Sequence, residues 1–172
     1  MEELKKIIRD VPDFPKKGII FKDITPVLKD GAAFRKTIDL LCERYKNIKI
    51  DKIVSMESRG FIIGSVVAYK LGCGFVPVRK KGKLPHKTEK VEYTLEYGTD
   101  VLEIHRDAIT PGEKVLIVDD VLATGGTAAA VGELIRKLGA ETVGMAFLIE
   151  LSFLNPREKL KGYQDVFALI TY

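Results

Sequence analysis

Val115-Leu-Ile-Val-Asp-Asp-Val-Leu-Ala-Thr-Gly-Gly-Thr127 is the stretch on which the reading of this chain turns. Lys114–Asp119 is a continuous apolar run, the pattern of a strand buried on both faces of a parallel sheet. It ends in two adjacent acids, Asp119 and Asp120, and Thr124-Gly125-Gly126-Thr127 then leads into a helix expected over Thr127–Leu138 and closed by Gly139. Two glycines let the backbone turn tightly and approach a ligand with no Cβ in the way. Free amides at the helix start, with the Thr124 and Thr127 hydroxyls, form an anion cradle. The helix dipole adds roughly 0.3–1 kcal/mol toward a bound anion, and ~2 kcal/mol where the site is partly buried.

The acids need their own explanation, because carboxylates repel a bare phosphate. Paired carboxylates suit a sugar diol, each accepting a hydroxyl hydrogen bond, or a metal. A phosphate cradle beside a diol clamp matches a ribose 5-phosphate. A plain strand-end loop with solvated acids explains either feature alone; the combination after a buried strand favours a ligand. Other phosphate motifs do not fit. A P-loop needs Lys-Ser/Thr after its second glycine, where this chain has Thr127-Ala128, and the G-x-G-x-x-G fingerprint is missing.

Outward from this stretch, strands and helices alternate. Glu2–Asp10 reads as a short helix, Gly18–Phe21 as a short extended piece, and Asp30 as the N-cap of a helix with Phe34, Ile38, Leu41 and Tyr45 on one face. Lys52–Ser55 is an expected strand, Gly60–Leu71 a helix stopped by Gly72, and Phe75–Val78 a strand. Residues 80–90 read as a basic loop. Glu92–Tyr97 and Val101–His105 read as a hairpin around Gly98-Thr99-Asp100. Thr142–Ile149 and Val166–Ile170 are further strands, with a short helix from Asn155-Pro156 between them. This pattern predicts one α/β domain over 1–172, with a doubly wound, mainly parallel sheet flanked by helices and a small antiparallel flap. Ligands in such sheets bind beyond the carboxyl ends of the strands.

Composition sets the outer bounds. The 172 residues are the size of one domain, with 46% apolar and 30% charged residues. No apolar run approaches the roughly 20 residues that span a bilayer. The charged opening MEELKKIIRD lacks the apolar core of a signal peptide. A cytoplasmic location without membrane association is therefore expected, and Cys42 and Cys73 read as small buried hydrophobes. The net charge of +4 says little, but Arg79, Lys80, Lys81, Lys83 and Lys87 cluster around His86 with no acid before Glu89. Such a run is a solvated face or a polyanion site.

These residues resemble a known family. The stretch 115–127 is similar to the phosphoribosyl pyrophosphate signature of type I phosphoribosyltransferases. Four more segments resemble the adenine phosphoribosyltransferase branch: Asp13–Leu28, Glu57-Ser-Arg-Gly-Phe61, Arg79-Lys-Lys-Gly-Lys-Leu-Pro85 and Leu95-Glu-Tyr-Gly98. They occur in the family's order, and the resemblance spans essentially the whole chain. It implies that Ala123, Thr124, Gly125, Gly126 and Thr127 hold the 5′-phosphate and that Asp119 and Asp120 hold the ribose hydroxyls. Arg79, Lys80, Lys83, His86, Glu57 and Ser58 would meet pyrophosphate. Arg59 would act beside base and pyrophosphate. Ile20, Phe21 and Lys22, in a base-binding segment 1–28, would flank the purine opposite Leu122. Glu96 would handle the proton on the imidazole ring of the base, and Tyr97 would help close a flap of about 80–105. Mg²⁺ would bind mainly through substrate oxygens, with Asp119 and Asp120 nearby, and a homodimer is expected.

The implied reaction is purine salvage, from adenine and phosphoribosyl pyrophosphate to AMP and pyrophosphate. A relative using hypoxanthine, xanthine or guanine is the alternative, because backbone reading of the base leaves little trace in sequence. A non-catalytic nucleotide sensor usually carries an added nucleic-acid domain, for which the chain has no room. An RNA-binding module is disfavoured, since the basic run has no interleaved aromatics for stacking.

Overall fold

The computed structural model describes residues 1–94 and 98–172. Helices are α1 (Glu2–Ile7), α2 (Thr25–Lys29), α3 (Gly31–Tyr45), α4 (Arg59–Leu71) and α5 (Gly126–Lys137). Strands are β1 (Arg9–Pro12), β2 (Ile20–Asp23), β3 (Lys52–Met56), β4 (Gly74–Lys80), β5 (Thr88–Thr94), β6 (Thr99–His105), β7 (Lys114–Leu122), β8 (Glu141–Glu150) and β9 (Val166–Thr171). Two 3-10 turns, Ser152–Leu154 and Pro156–Leu160, join β8 to β9.

Seven strands form one sheet in the order β5-β6-β4-β3-β7-β8-β9. The five from β4 to β9 in that order are parallel. β6 joins β4 antiparallel, and β5 joins β6 antiparallel. Alternation along β7 shows why its apolar run is continuous. Leu116 and Val118 pack with Ile38 and Leu41 of α3 and Ile63 and Val67 of α4. Val115 and Ile117 pack with Val131, Leu134 and Ile135 of α5 on the other face. The sheet is thus covered on both sides, as the doubly wound reading requires.

Three boundaries differ from the sequence reading. The first helix stops at Ile7, and residues 9–12 form β1, paired antiparallel with β2. Pro12 biases Val11 toward extended backbone, and β2 supplies partners that a lone helix end lacks. β7 continues through both acids to Leu122, because β8 pairs with it as far as Leu122↔Glu150. The basic loop ends at Lys87, since Thr88–Lys90 pair with Glu103–His105 and begin the hairpin early. The Asp30 cap is present: its carboxylate accepts the Ala32 and Ala33 amides at 2.9 and 3.0 Å. A short helix, α2, escaped the sequence reading.

The topology places the site. The chain leaves β3 through α4 toward β4, and leaves β7 through α5 toward β8, in opposite directions along the sheet. The carboxyl ends of these neighbouring strands open a crevice where the order reverses.

Candidate active site

A cleft of about 1090 Å³ lies at that crevice. β3 contributes Met56 and the following Glu57, Ser58 and Arg59; β7 contributes Asp119, Asp120, Val121 and Leu122; Ala123, Thr124, Gly125 and Thr127 follow. The separate β1–β2 ribbon brings Ile20, Phe21 and Lys22 to the same cleft.

Asp119 and Asp120 are buried, at 7% and 6% exposure. Burial, then the neighbouring Asp120 carboxylate, pushes the Asp119 carboxyl well above its ordinary value of 3.8. Asp120 accepts a hydrogen bond from Arg59 Nε in an ion pair. The Arg59 guanidinium also lies 5.2 Å from the Phe21 ring centroid, linking the acids to the ribbon. A Cβ on Gly60 would stand 2.3 Å from Asp119 Oδ1, so only glycine lets α4 approach this close.

Two helix starts face the cleft without side-chain caps. α4 follows Ser58 and α5 follows Gly125, and neither residue caps through its side chain. Their first-turn amides carry the positive dipole end and leave donors for an anion. Gly125 has φ of +77°, and a Cβ there would meet the Pro156 carbonyl oxygen at 2.3 Å. Glycine is needed there for both conformation and space.

The basic residues stand one step back. Glu57 Oε2 accepts from Arg79 Nη2 at 2.9 Å and Lys83 Nζ at 3.1 Å, while Oε1 accepts the Lys80 amide at 2.7 Å. Burial alone would raise the Glu57 carboxyl, but the Lys80 amide and the two cations outweigh it and hold it below its ordinary value. Lys80 Nζ pairs with Asp100 at 3.1 Å, and the His86 ring centroid lies 6.2 Å from that of His105.

The cleft therefore gathers Ile20, Phe21, Lys22, Glu57, Ser58, Arg59, Asp119, Asp120, Leu122, Ala123, Thr124, Gly125 and Thr127. Gly126, Arg79, Lys80, Lys83 and His86 are not in its lining. Glu96 and Tyr97 lie outside the described residues. Leu122 is only 1% exposed, so it offers little surface to a base. More apolar surface comes from Phe153 and Leu154 in the first 3-10 turn, which also line the cleft with Tyr172. Sequence reading missed these three: the signal for Phe153 and Leu154 is large apolar residues in a turn, and Tyr172, just after β9, carries none. Lys22 lines the cleft with its ammonium already engaged: it hydrogen-bonds Asp10 at 2.7 Å and lies 3.8 Å from the Tyr172 ring centroid.

The residues fit Mg²⁺ only in part. No group of three or more His, Cys, Asp or Glu among the described residues is placed to hold a metal. Asp119 and Asp120 offer two carboxylates, one already neutralised by Arg59. That donor set suits a cation whose remaining ligands come from a substrate.

Comparison with known proteins agrees with this geometry. Residues 24–169 match the family described as "Phosphoribosyl transferase domain". The adenine phosphoribosyltransferase of Thermotoga neapolitana is 61% identical over 170 residues, 99% of each chain. The crystal structure of the enzyme of that name from Thermoanaerobacter pseudethanolicus superposes with a TM-score of 0.97 at 56% identity, covering 99% of both chains. The Saccharomyces cerevisiae adenine phosphoribosyltransferase, solved with an imino-altritol bisphosphate and adenine, gives 0.92 at 47% identity, covering 98% of this chain and 97% of that one. On fold, site and sequence together, the chain belongs to the phosphoribosyltransferases and, among them, to the adenine phosphoribosyltransferase family.

Proposed function

We propose that the protein transfers the phosphoribosyl group of phosphoribosyl pyrophosphate to adenine, forming AMP and pyrophosphate in purine salvage. The observation that carries this reading is convergence: a buried acid pair, two uncapped helix starts and an exposed apolar wall open onto one cleft. Adenine in the yeast relative supports the choice of base.

In this reading the 5′-phosphate sits at the start of α5 on residues 123–127, and Asp119 and Asp120 accept hydrogen bonds from the ribose hydroxyls. The pyrophosphate lies at the start of α4, by Glu57, Ser58 and Arg59. The purine lies against Ile20 and Phe21, its edge read by backbone atoms through Lys22, with Leu122, Phe153 and Leu154 opposite.

The bond from the anomeric carbon to pyrophosphate oxygen breaks, and its electron pair leaves with pyrophosphate. The same carbon bonds to a nitrogen of the adenine imidazole ring, and Glu96 accepts the proton that nitrogen loses. Carboxylates beneath the ribose favour its developing positive charge. Arg59, with Arg79, Lys80, Lys83 and His86 on the flap, stabilises the leaving group; loss of one such contact costs about 3–4 kcal/mol. Mg²⁺ brought in with the substrate would supply further charge neutralisation, and Asp119 and Asp120 are the residues that would help hold it.

Residues of about 80–105, with Tyr97 among them, form a flap that closes on substrate and excludes water. Closure is expected to protect this segment from protease at saturating phosphoribosyl pyrophosphate; unchanged cleavage would count against it. Cytoplasmic residence is part of the proposal, since its charged substrates do not cross membranes unaided. So is a homodimer, with the exposed Ile62 and Tyr69 of α4 as the contact beside the site.

The test is to supply phosphoribosyl pyrophosphate, Mg²⁺ and each purine base separately. AMP from adenine alone is expected. Turnover with an oxopurine would overturn the choice of base, and no product with any base would leave a binding protein.

A further inference from the structure

The second 3-10 turn, Pro156–Leu160, is not in the cleft lining, yet it is fixed firmly against the phosphate loop. Pro156 and Leu160 are buried. Arg157 makes a two-pronged contact with Glu150, at 2.8 Å from Nε and 2.7 Å from Nη2, and Glu150 is only 4% exposed. Such a fork fixes orientation as well as distance. The Pro156 carbonyl oxygen reaches Gly125 so closely that any Cβ there would clash. The turn and the loop are thus in direct contact.

The charges on this turn are arranged unevenly. Arg157 is spent on Glu150, and Glu158 pairs with Lys161 at 2.5 Å. Lys159, between them, makes no ion pair or hydrogen bond among the described residues. Its ammonium is directed to the start of α5. A Cβ built on Gly126 would lie 3.6 Å from Lys159 Nζ, 3.9 Å from Thr124 Oγ1 and 3.8 Å from the Thr94 carbonyl oxygen at the end of β5. An uncompensated cation and a hydroxyl therefore converge where the α5 amides are uncapped.

We propose that Lys159 is a further substrate-binding residue, its ammonium directed at the 5′-phosphate. The inference rests on the proposed phosphoribosyl site. α5 supplies neutral donors and a dipole, and none of the residues assigned to the 5′-phosphate is a cation, so a dianion there needs a positive charge from elsewhere. Lys159 supplies it from a turn that Glu150 and Arg157 hold in place. Nearness to Thr94 also brings that charge to the base of the flap.

The test compares wild type, Lys159→Met and Lys159→Arg for binding of AMP and, separately, of pyrophosphate with Mg²⁺, alongside thermal unfolding. Loss of a charge-assisted contact is expected to weaken AMP binding by roughly ten- to a hundredfold. Pyrophosphate binding and Tm should be unchanged, the loss should shrink at high salt, and arginine should restore most of the affinity. AMP binding equal to wild type in Lys159→Met would overturn the role of Lys159 and leave the site intact. Equal weakening of AMP and pyrophosphate would also overturn it, since a displaced loop or flap does that. Wild type that binds no AMP at all would overturn the phosphoribosyl site, and this inference with it.

Discussion

Asp119 shows how a single residue can be poorly placed for stability and well placed for a ligand. Its carboxyl titrates above the ordinary range because it is buried beside Asp120. The folded state therefore holds that proton more tightly than the unfolded chain. Stability from this group is complete below the unfolded value of 3.8 and is lost as pH rises through the folded value. Asp119→Asn should accordingly raise Tm at pH 7, the gain vanishing near pH 3, while AMP formation falls by about tenfold or more. Thermal scans at both pH values, with an activity assay, check this; a lower Tm at pH 7 would contradict it. Gly125→Ala acts in the opposite direction. Its φ of +77° and the 2.3 Å approach to Pro156 predict a loss of about 2 kcal/mol and weakened AMP binding, read by denaturant unfolding and calorimetry. The acid pair and the Gly-Gly turn were legible because chemistry dictates their residue types. Gly60 was not, because its need is set by Asp119, 59 positions away in sequence.

At the level of elements, legibility followed periodicity. β7 and α3 were readable from their apolar patterns, and Asp30 from its place before a helical stripe. Replacing Asp30 by Ala leaves the Ala32 and Ala33 amides unpaired and should cost about 1 kcal/mol. For a chain of this length that is a fall in Tm of roughly 2–4 °C, with activity kept; an unchanged Tm would show that water replaces the cap without loss. β1 and the first half of β5 were hidden because Arg9-Asp10 and Thr88-Glu89-Lys90 carry no apolar alternation. Their strand character comes from partners, β2 and β6, that the local sequence does not announce. The apolar turn bearing Phe153 and Leu154 was hidden for a related reason: its surface faces a cleft that exists only once β8 and the β1–β2 ribbon are in place.

The whole molecule is organised by the reversal of strand order between β3 and β7, which puts the starts of α4 and α5 side by side over one crevice. In the proposed function one helix start would serve each phosphate group of the substrate, with the acid pair between them. The outer face of α4 leaves Tyr69 at 89% exposure, with Ile62 also open. A dimer across that face would couple the start of α4, and Arg59 with it, to a second chain. Tyr69→Asp is therefore expected to shift the protein from dimer to monomer in sedimentation at micromolar concentration. A monomeric wild type, or an undisturbed dimer in the variant, would remove α4 as the contact.

If one cleft holds base, ribose phosphate and pyrophosphate together, the reaction must run backwards through the same site. AMP, pyrophosphate and Mg²⁺ should yield free adenine and phosphoribosyl pyrophosphate in wild type, at a rate that depends on both substrates. The Asp119→Asn, Asp120→Asn double variant should be slower by about a hundredfold or more. Adenine release that does not need pyrophosphate, or no release by a folded wild type that binds AMP, would contradict the account.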